Sequence, residues 1–473
     1  MEELARNGII LEQSYVQPVC SPTRSALMTG RYPFTIGRQH GVIRPQSPTG
    51  LLLNSTLLPQ AMKDAGYSTH IIGKWHLGYC DWAYTPTMRG FDSFYGYYLG
   101  AQDYYSHTRN PNLCVEEEDS AIKEDFPYGY DFRSETIPDI SVLDTYSTYA
   151  YATYVDNLLK AHNPSEPLFL YLSLQSVHSP LQVPENFTEP FQYINDTDRI
   201  NKLGMVWAMD EAIGDVVDAL KKTGHYDNSV IVFTTDNGGH TPSAGINWPL
   251  RGGKGSLWEG GTRGPAFIHS PLLAVSGFIS ETVMHVTDWY KTLIGLSGGV
   301  APEISDGFDQ WEAITEGAPS PRTTMVYNID NENEFEAGIR KGDYKLLVGE
   351  QGGGSWTEPP EGKITTSDVN SNCNEDDSET VTIASLHLDK RTFLVSDLPI
   401  TNDTKIRLYH LQNDPEERIN LAETEEGLVS DLLNELQQEF LRYSPADYPP
   451  DVPEADPANF DNVWSPGWCT AGP

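Results

Sequence analysis

Three short apolar segments in the first half of the chain each run into a polar cluster, and this repeated arrangement constrains the fold most strongly. The segments are residues 69–72 before Gly73-Lys74-Trp75-His76, residues 168–172 before Gln175-Ser176-Val177-His178, and residues 230–233 before Thr234-Thr235-Asp236-Asn237. Their alternation with helical patterns predicts an α/β domain with a largely parallel sheet. Because ligands bind at the carboxyl edge of such a sheet, the three clusters are predicted to share one site.

Other patterns divide the rest of the chain. We predict one helix from Ser55 or Thr56 to Ala65 and another from Leu203 to Lys222, closed by Gly224. After about residue 334 a hairpin, a strand and a late amphipathic helix are predicted at 337–347, 408–411 and 429–440. We therefore expect a large domain over 1–333, a smaller C-terminal domain over 334–443 and a Pro-rich extended tail over 444–473. The segments 101–145 and 351–400 are predicted to be loops over the site.

Charge and composition exclude two classes of partner. The chain carries 31 Lys and Arg against 67 Asp and Glu, a formal net charge of −36, whereas nucleic-acid affinity depends on basic side chains that neutralise phosphates. No apolar run reaches the length of about eighteen residues that a membrane span needs.

The signals for the secretory pathway point in two directions. Met1–Gly8 lacks the basic start of a secretory signal. Asn-x-Ser/Thr sequons nevertheless favour a glycoprotein of the secretory pathway, and they occur at Asn54, Asn186, Asn195 and Asn402.

Cys20 lies where a further helix is predicted to begin. Pro22 suits the first turn of a helix, which places the thiol where free N–H groups and the helix dipole favour an anion. Only three residues separate Cys20 from Arg24, fewer than in thiol phosphatases, so that class is excluded. A lone cysteine is most often buried and inert, and the spacing alone leaves this alternative open.

The segment Cys20-x-Pro22-x-Arg24, continued by Leu27-Met28-Thr29-Gly30-Arg31, resembles the signature of the type I sulfatases, in which the cysteine is converted to formylglycine. Further matching segments follow in the family's order, at residues 73–78, 175–178, 235–239, 247–254, 257–261 and 408–417. The likeness extends over nearly the whole chain and is strongest to the arylsulfatase B type, the N-acetylgalactosamine-4-sulfatases. It implies an α/β, alkaline-phosphatase-like fold with a large, mixed, mostly parallel sheet between helices and a C-terminal α+β domain with an antiparallel sheet.

The resemblance also implies roles for basic residues near the cysteine. Cys20 becomes an aldehyde whose hydrate attacks sulfur and later releases sulfate by breaking a carbon–oxygen bond. Lys74 and Lys254 are implied to hold sulfate oxygens, and Arg24 to orient the modified Cys20 and offset its charge. Three flanking arginines are expected to add positive potential for an anionic substrate, namely Arg31, Arg251 and Arg263.

The two histidines and the metal ligands are assigned in the same way. His76 is implied to hydrogen-bond the hydrate, and His178 to protonate the leaving oxygen. Asp236 and Asn237, with the modified Cys20, are implied to bind one Ca²⁺, which prefers hard oxygen ligands.

The sequence departs from the family pattern at its amino end. Type I sulfatases carry a consecutive Asp pair on their first strand, upstream of the cysteine, that supplies two further metal ligands. Only nineteen residues precede Cys20, and Glu2-Glu3 lies too close to it to be that pair. We therefore expect that the amino-terminal strand is missing and that metal binding is weakened, since Ca²⁺ takes about six to eight oxygens.

The implied activity is hydrolysis of N-acetylgalactosamine 4-sulfate groups of glycosaminoglycans, or of aryl sulfates, in the lysosome or outside the cell. The implied protein partner is the formylglycine-generating enzyme. One alternative is a phosphoryl-transfer enzyme, which typically uses Ser or Thr rather than Cys. Another is a catalytically impaired relative that binds sulfated glycans, favoured by the missing Asp pair. Without Cys20, the remaining cysteines allow two disulfides in three connectivities, and these are Cys80, Cys114, Cys373 and Cys469.

Overall fold

The computed structural model describes residues 1–109, 127–360, 380–386, 388 and 398–472. Cys114, Cys373 and parts of the predicted loops 101–145 and 351–400 lie outside these residues. The helices of the described part are α1 (Glu2–Arg6), α2 (Cys20–Thr29), α3 (Leu58–Asp64), α4 (Ser147–Ala161), α5 (Thr197–Thr223), α6 (Glu259–Thr262), α7 (Asp288–Leu296), α8 (Trp311–Glu316) and α9 (Glu426–Phe440). None of these helices combines the length and apolar character of a membrane span.

The strands form three larger sheets and two short pairs. They are β1 (Ile9–Leu11), β2 (Ser14–Tyr15), β3 (Ser68–Lys74), β4 (Ser93–Tyr97), β5 (Thr108–Arg109), β6 (Gly129–Tyr130), β7 (Arg133–Ser134), β8 (Ile137–Pro138), β9 (Leu168–Ser173), β10 (Ile231–Phe233), β11 (Ala266–His269), β12 (Phe278–Ser280), β13 (Met284–His285), β14 (Thr324–Asp330), β15 (Glu336–Lys341), β16 (Tyr344–Val348) and β17 (Ile406–His410). The two pairs are β2 with β13 and β5 with β6.

The five-stranded sheet has the order β8-β7-β4-β3-β9, with β3 parallel to both β4 and β9. Alternate side chains of β9 reach opposite faces, as the two-residue period of a strand requires. Phe169 and Tyr171 pack on one apolar cluster, whereas Leu168, Leu170 and Leu172 pack on another. This sheet is therefore covered on both faces, which is typical of parallel sheets.

The four-stranded sheet has the order β10-β11-β1-β12. β1 is parallel to β12 and antiparallel to β11, so this sheet is mixed. The one large sheet of the prediction is thus divided, with β9 and β10 as end strands. Residues 231–233 and 168–172 are only partly buried, although both strands are apolar. Each of these two strands lies at the end of its sheet among the described residues, so one edge of each has no neighbouring strand there.

The antiparallel sheet β14-β15-β16-β17 confirms the predicted C-terminal sheet. Its first strand begins at Thr324, while the domain division at residue 334 stays a prediction. Helix α9 covers the sheet with a buried apolar stripe, as its spacing indicates. The members of that stripe are Val429, Leu432, Leu433 and Leu436.

The C-terminal tail returns to the amino-terminal part of the chain. Cys469 forms a disulfide with Cys80, which is one of the bridges that the sequence allowed. Asp447 accepts a hydrogen bond from the buried Arg38 at 2.7 Å, and Trp464 is fully buried. The tail is therefore part of the folded structure.

Candidate active site

The ends of β3 and β9 and the loop after β10 meet at one place, as the sequence predicts. Strand β3 ends at Lys74 and β9 ends at Ser173, while Asp236 follows β10. Arg24, from the first turns of α2, contacts all three. The shared edge is thus built across two sheets, with one arginine connecting them.

Cys20 is the first residue of α2, and it is buried and free. Its Sγ donates a hydrogen bond to Asn237 Oδ1 at 3.4 Å. The preceding residue, Val19, is extended and caps the helix without a side-chain bond. The thiol therefore lies at the positive end of a ten-residue helix, as predicted from Pro22.

Arg24 makes four hydrogen bonds. Its Nε and one terminal nitrogen donate to Asp236 Oδ2 at 3.1 and 2.9 Å. Its other terminal nitrogen donates to the Lys74 carbonyl at 3.0 Å and to Ser173 Oγ at 2.7 Å. These bonds fix the three polar segments around the thiol, and a role of Arg24 in orienting the modified Cys20 and offsetting its charge stays a prediction.

Asp236 carries the negative charge of the cluster. Burial opposes its ionisation, but the positive charges of Arg24 and Lys74 outweigh burial and hold the pKa of the Asp236 carboxyl well below its usual range. Lys74 Nζ lies 3.9 Å from Asp236 Oδ2. Burial lowers the pKa of Lys74, with the charges of Cys20 and Asp236 acting in the opposite direction. Two buried cations thus share one carboxylate, which leaves net positive charge beside Cys20.

His76 is buried in a close-fitting pocket. Its Nε2 is 3.1 Å from the Ile43 carbonyl oxygen, and a side chain at Gly100 would overlap the imidazole ring. Nδ1 has no hydrogen-bond partner among the described residues. Burial, followed by the charges of Lys74 and Arg24, lowers the pKa of His76 well below its ordinary value. His76 is thus a neutral ring, and a buried unpaired nitrogen is a place where a further polar group would bind.

His178 and Lys254 form a pair. His178 Nε2 lies 3.3 Å from Lys254 Nζ, and Nδ1 lies 2.8 Å from the carbonyl oxygen of Ser179. Because a carbonyl only accepts, Nδ1 carries a proton, and Nε2 accepts from the ammonium when the ring is neutral. The backbone N–H of Lys254 donates to Gly239 O at 3.1 Å, which attaches this residue to the loop of Asp236 and Asn237.

The residues fit Ca²⁺ only in part. Asp236 and Asn237 offer hard oxygens, which is the correct donor type. No group of three or more His, Cys, Asp or Glu arranged to hold a metal occurs in the described ranges. One oxygen of Asp236 is already bound twice by Arg24. Two protein oxygens do not make the shell of about six to eight that Ca²⁺ takes.

Sequence reasoning missed three polar residues of the site. Ser173 accepts from Arg24, and Ser21 Oγ donates to the carbonyl of His76 at 3.1 Å. The side chain of Asn247 binds both the N–H and the carbonyl of Gly239, at 2.7 and 2.9 Å. Ser173 is the last residue of β9, as Lys74 is of β3. The expectation that polar residues at the carboxyl ends of parallel strands share one site could therefore have identified it.

Two of the three flanking arginines lie beside carboxylates. Arg263 is 3.9 Å from both Glu12 and Glu259. Burial lowers the pKa of Arg31, and the nearby negative charge of Asp306 opposes this effect only in part. Much of their charge is therefore offset locally. Arg251 is placed differently, stacked against aromatic rings.

Comparison with known proteins agrees with this geometry. A family model described as Sulfatase matches residues 1–300. The chain is 37% identical to arylsulfatase J of Mus musculus, with 98% of this chain and 75% of that protein aligned. It is 30% identical to an arylsulfatase of Hemicentrotus pulcherrimus, with 73% and 62% covered. The crystal structure of Ps i-CgsB in complex with k-i-k-neocarrahexaose matches with a TM-score of 0.73 and 26% identity over 94% of this chain and 88% of that one.

These matches define the class of protein. The chain belongs to the sulfatase family, as the motif around Cys20 predicts. It has the alkaline-phosphatase-like fold of its structural neighbours and is a sulfuric ester hydrolase by class.

Proposed function

We propose that this chain hydrolyses sulfate esters of glycosaminoglycans at N-acetylgalactosamine 4-sulfate groups, with Cys20 modified to formylglycine as the nucleophilic residue. The observation that carries the proposal is the position of Cys20, buried at the start of α2 and 3.4 Å from Asn237 among two buried cations. An inert cysteine needs no such surroundings. Similarity to arylsulfatases, and to a protein solved with a neocarrahexaose, supports a sulfated glycan as substrate.

The pocket suits the modified residue. The aldehyde hydrate of formylglycine supplies an oxygen nucleophile that a thiol cannot. A hydroxyl in place of Sγ can donate to Asn237 Oδ1. Because Nε2 of the neutral His76 ring donates to the Ile43 carbonyl, the unpaired Nδ1 can accept a further hydrogen bond from the hydrate. The helix terminus favours negative charge on that oxygen.

The chain's own residues then perform the remaining tasks. Lys74 and Lys254 bind the oxygens of the sulfate, where charge increases as the ester breaks. Arg24 acts as a positioning residue, since it holds Asp236 and the ends of β3 and β9 in place. In its doubly protonated form, His178 donates the Nε2 proton to the leaving sugar oxygen and becomes neutral, while the bond from Nδ1 to the Ser179 carbonyl holds the ring in place.

The proposal also includes a metal ion and a cellular compartment. Asp236 and Asn237 are proposed as ligands of Ca²⁺, which would supply positive charge beside the sulfate. Modification of Cys20 implies passage through the secretory pathway, contact with the formylglycine-generating enzyme, and action in the lysosome or outside the cell. The four sequons are consistent with that route.

The test combines chemistry at Cys20 with substrate selectivity. The chain is produced in a secretory host that contains the formylglycine-generating enzyme, and the peptide around Cys20 is analysed by mass spectrometry. We expect an aldehyde at residue 20 and sulfate release from 4-methylumbelliferyl sulfate. Release from a 4-sulfated chondroitin disaccharide should be faster than from its 6-sulfated isomer. Cys20→Ala is the matched control. An unmodified thiol, or equal rates in the wild-type chain and Cys20→Ala, would overturn the proposal.

A further inference from the structure

Five side chains from three separate segments form an alternating stack of indole rings and guanidinium groups beside the candidate site. In order from the inside outward they are Trp258, Arg251, Trp356, Arg418 and Trp248. We call this set the Trp–Arg stack. The distances from guanidinium carbon to ring centroid along it are 3.7, 4.5, 4.8 and 5.8 Å. All four lie within the range of cation–π contacts.

The stack changes from buried to exposed along its length. Trp258 is 2% exposed, whereas Trp248 is 39% exposed and the Arg418 side chain 40%. Trp356, between the two arginines, is partly exposed. The outer ring, Trp248, is therefore only partly covered by the protein and leaves part of its surface open to a ligand.

The inner part of the stack has a structural role. Arg251 donates from Nε to the Gly354 carbonyl at 2.7 Å, and a side chain at Gly354 would crowd both Arg251 and Trp258. Gly252 N donates to the Ser355 carbonyl at 3.0 Å. These contacts join the 247–254 segment to residues 354–356 without using Trp248.

The outer part lies next to the candidate catalytic residues. Trp248 follows Asn247, whose side chain binds the N–H and the carbonyl of Gly239. Gly239 is two residues beyond Asn237, and its carbonyl also accepts from Lys254 N. Trp248 and Lys254 therefore lie in the same segment, which is bound at both places to the loop that carries Asp236 and Asn237.

We propose that Trp248, Arg418 and Trp356 form a subsite that binds a second sugar ring of the substrate glycan together with a sulfate that is not cleaved. The inference rests on the proposed function and extends it to substrate length. Indole surfaces bury the apolar faces of sugar rings, and a guanidinium binds sulfate oxygens in a fork. In a chain with a net charge of −36, such a local cation is needed to attract a polyanion.

The acidic neighbours of Arg418 set a limit on this subsite. Glu416 Oε2 accepts from Arg418 Nε at 2.5 Å, and both carboxylate oxygens of Asp414 accept from the backbone N–H of Arg418. Glu416 thus competes with a bound sulfate for one edge of the guanidinium. Removal of its charge by Glu416→Gln should increase affinity for a sulfated glycan.

The experiment measures binding without turnover. A Cys20→Ala background prevents sulfate release, and the probes are a chondroitin 4-sulfate tetrasaccharide and its chemically desulfated form, titrated by calorimetry. We expect Trp248→Ala and Arg418→Ala each to weaken binding of the sulfated probe about ten-fold, a typical cost for truncating an anchoring Trp or Arg. Trp248→Phe should retain most of the affinity. The exposed Trp82, near the Cys80–Cys469 disulfide, provides the control Trp82→Ala, which should change nothing.

Several results would overturn the subsite. The first is that the tetrasaccharide does not bind the Cys20→Ala background. The second is that Trp248→Ala and Arg418→Ala both leave the affinity unchanged. The third is that Arg418→Ala weakens binding of the sulfated and the desulfated probes equally. Thermal melting of each variant separates lost binding from lost folding. A chain that releases sulfate but shows unaltered binding in the stack variants would refute the subsite alone. Weakened binding in the stack variants, together with no sulfate release by the wild-type chain, would refute the proposed activity alone.

Discussion

Arg24 binds Asp236 through two hydrogen bonds to a single carboxylate oxygen, at 2.9 and 3.1 Å. The same guanidinium reaches the ends of β3 and β9 at Lys74 and Ser173. The candidate site therefore depends on a planar group with several donors at fixed angles, which lysine does not provide. The position of the Arg24 guanidinium, and not only its charge, therefore holds the ends of the two sheets together around Cys20.

Replacement of Arg24 by lysine should reduce the catalytic rate much more than the stability of the fold. Arg24→Lys retains the positive charge near Asp236 but loses the simultaneous bonds to the three segments. We expect the rate of aryl sulfate hydrolysis to fall by about 10²-fold or more, since small misplacements of reacting groups have effects of that size. Steady-state assays with 4-methylumbelliferyl sulfate measure this fall in rate. Arg6→Lys, in an exposed ion pair with Glu2, is the control. A change of only a few-fold would show that Arg24 does not position the site.

The pair of His178 and Lys254 predicts a dependence on the leaving group. If His178 protonates the leaving oxygen, His178→Ala should slow release of a sugar or alkyl sulfate much more than release of a 4-nitrophenyl sulfate, whose anion leaves without a proton. The expected difference is on the order of 10²-fold, the usual contribution of general acid catalysis. Lys254→Ala should slow both substrates alike, because sulfate binding does not depend on the leaving group. Equal losses for both substrates in His178→Ala would exclude a role as general acid.

How far the site could be predicted depends on whether a contact is local. Strand ends mark polar clusters, so Lys74 and Asp236 could be assigned to one edge from the sequence. The bond from Arg24 to Asp236 spans 212 positions, and no local pattern specifies it. The same holds for the Trp–Arg stack, whose members come from three segments far apart in the sequence.

The fold shows the same contrast. Helix α5 ends at Gly224 with a left-handed cap, as predicted, but it begins at Thr197 rather than near Leu203. Its first turn is polar, so apolar periodicity misses it, although Asp196 caps the helix with a bond to the Arg199 N–H. Division of the sheet into two could not be predicted, since strand pairing is decided by contacts between distant segments.

Calcium binding by this chain should be weak. Asp236 and Asn237 supply two protein oxygens, and Arg24 already occupies one oxygen of Asp236. We expect half-saturation at a Ca²⁺ concentration on the order of 10⁻³ M, as for the weakest protein sites. Thermal melting across a calcium titration measures it, and Asp236→Asn should abolish the shift. Saturation at micromolar Ca²⁺ in the wild-type chain would show that further ligands contribute.

A second buried charge cluster connects α6 to the C-terminal sheet. Lys345 Nζ lies 2.9 Å from Glu259 and 2.8 Å from Glu417, and all three side chains are fully buried. Burial, reinforced by the charge of Glu259 and opposed by Lys345, raises the pKa of Glu417 to about 7. For Glu259, the charges of Lys345, Arg263 and Arg340 overcome the effect of burial and lower the pKa. Only Glu417 of the two carboxyls therefore changes its charge between pH 5 and 8.

Stability should accordingly decrease as the pH rises through neutrality. Because the folded pKa of Glu417 lies above its ordinary value of 4.5, the contribution of the protonated form is complete below that value and is lost as the pH rises through about 7. We expect the melting temperature to be a few degrees lower at pH 8 than at pH 5, and Glu417→Gln to flatten this dependence. Glu423→Gln, at an exposed position, should leave it unchanged. Calorimetric melting across the pH range provides the measurement. An unchanged slope in Glu417→Gln would rule out this carboxyl as its source.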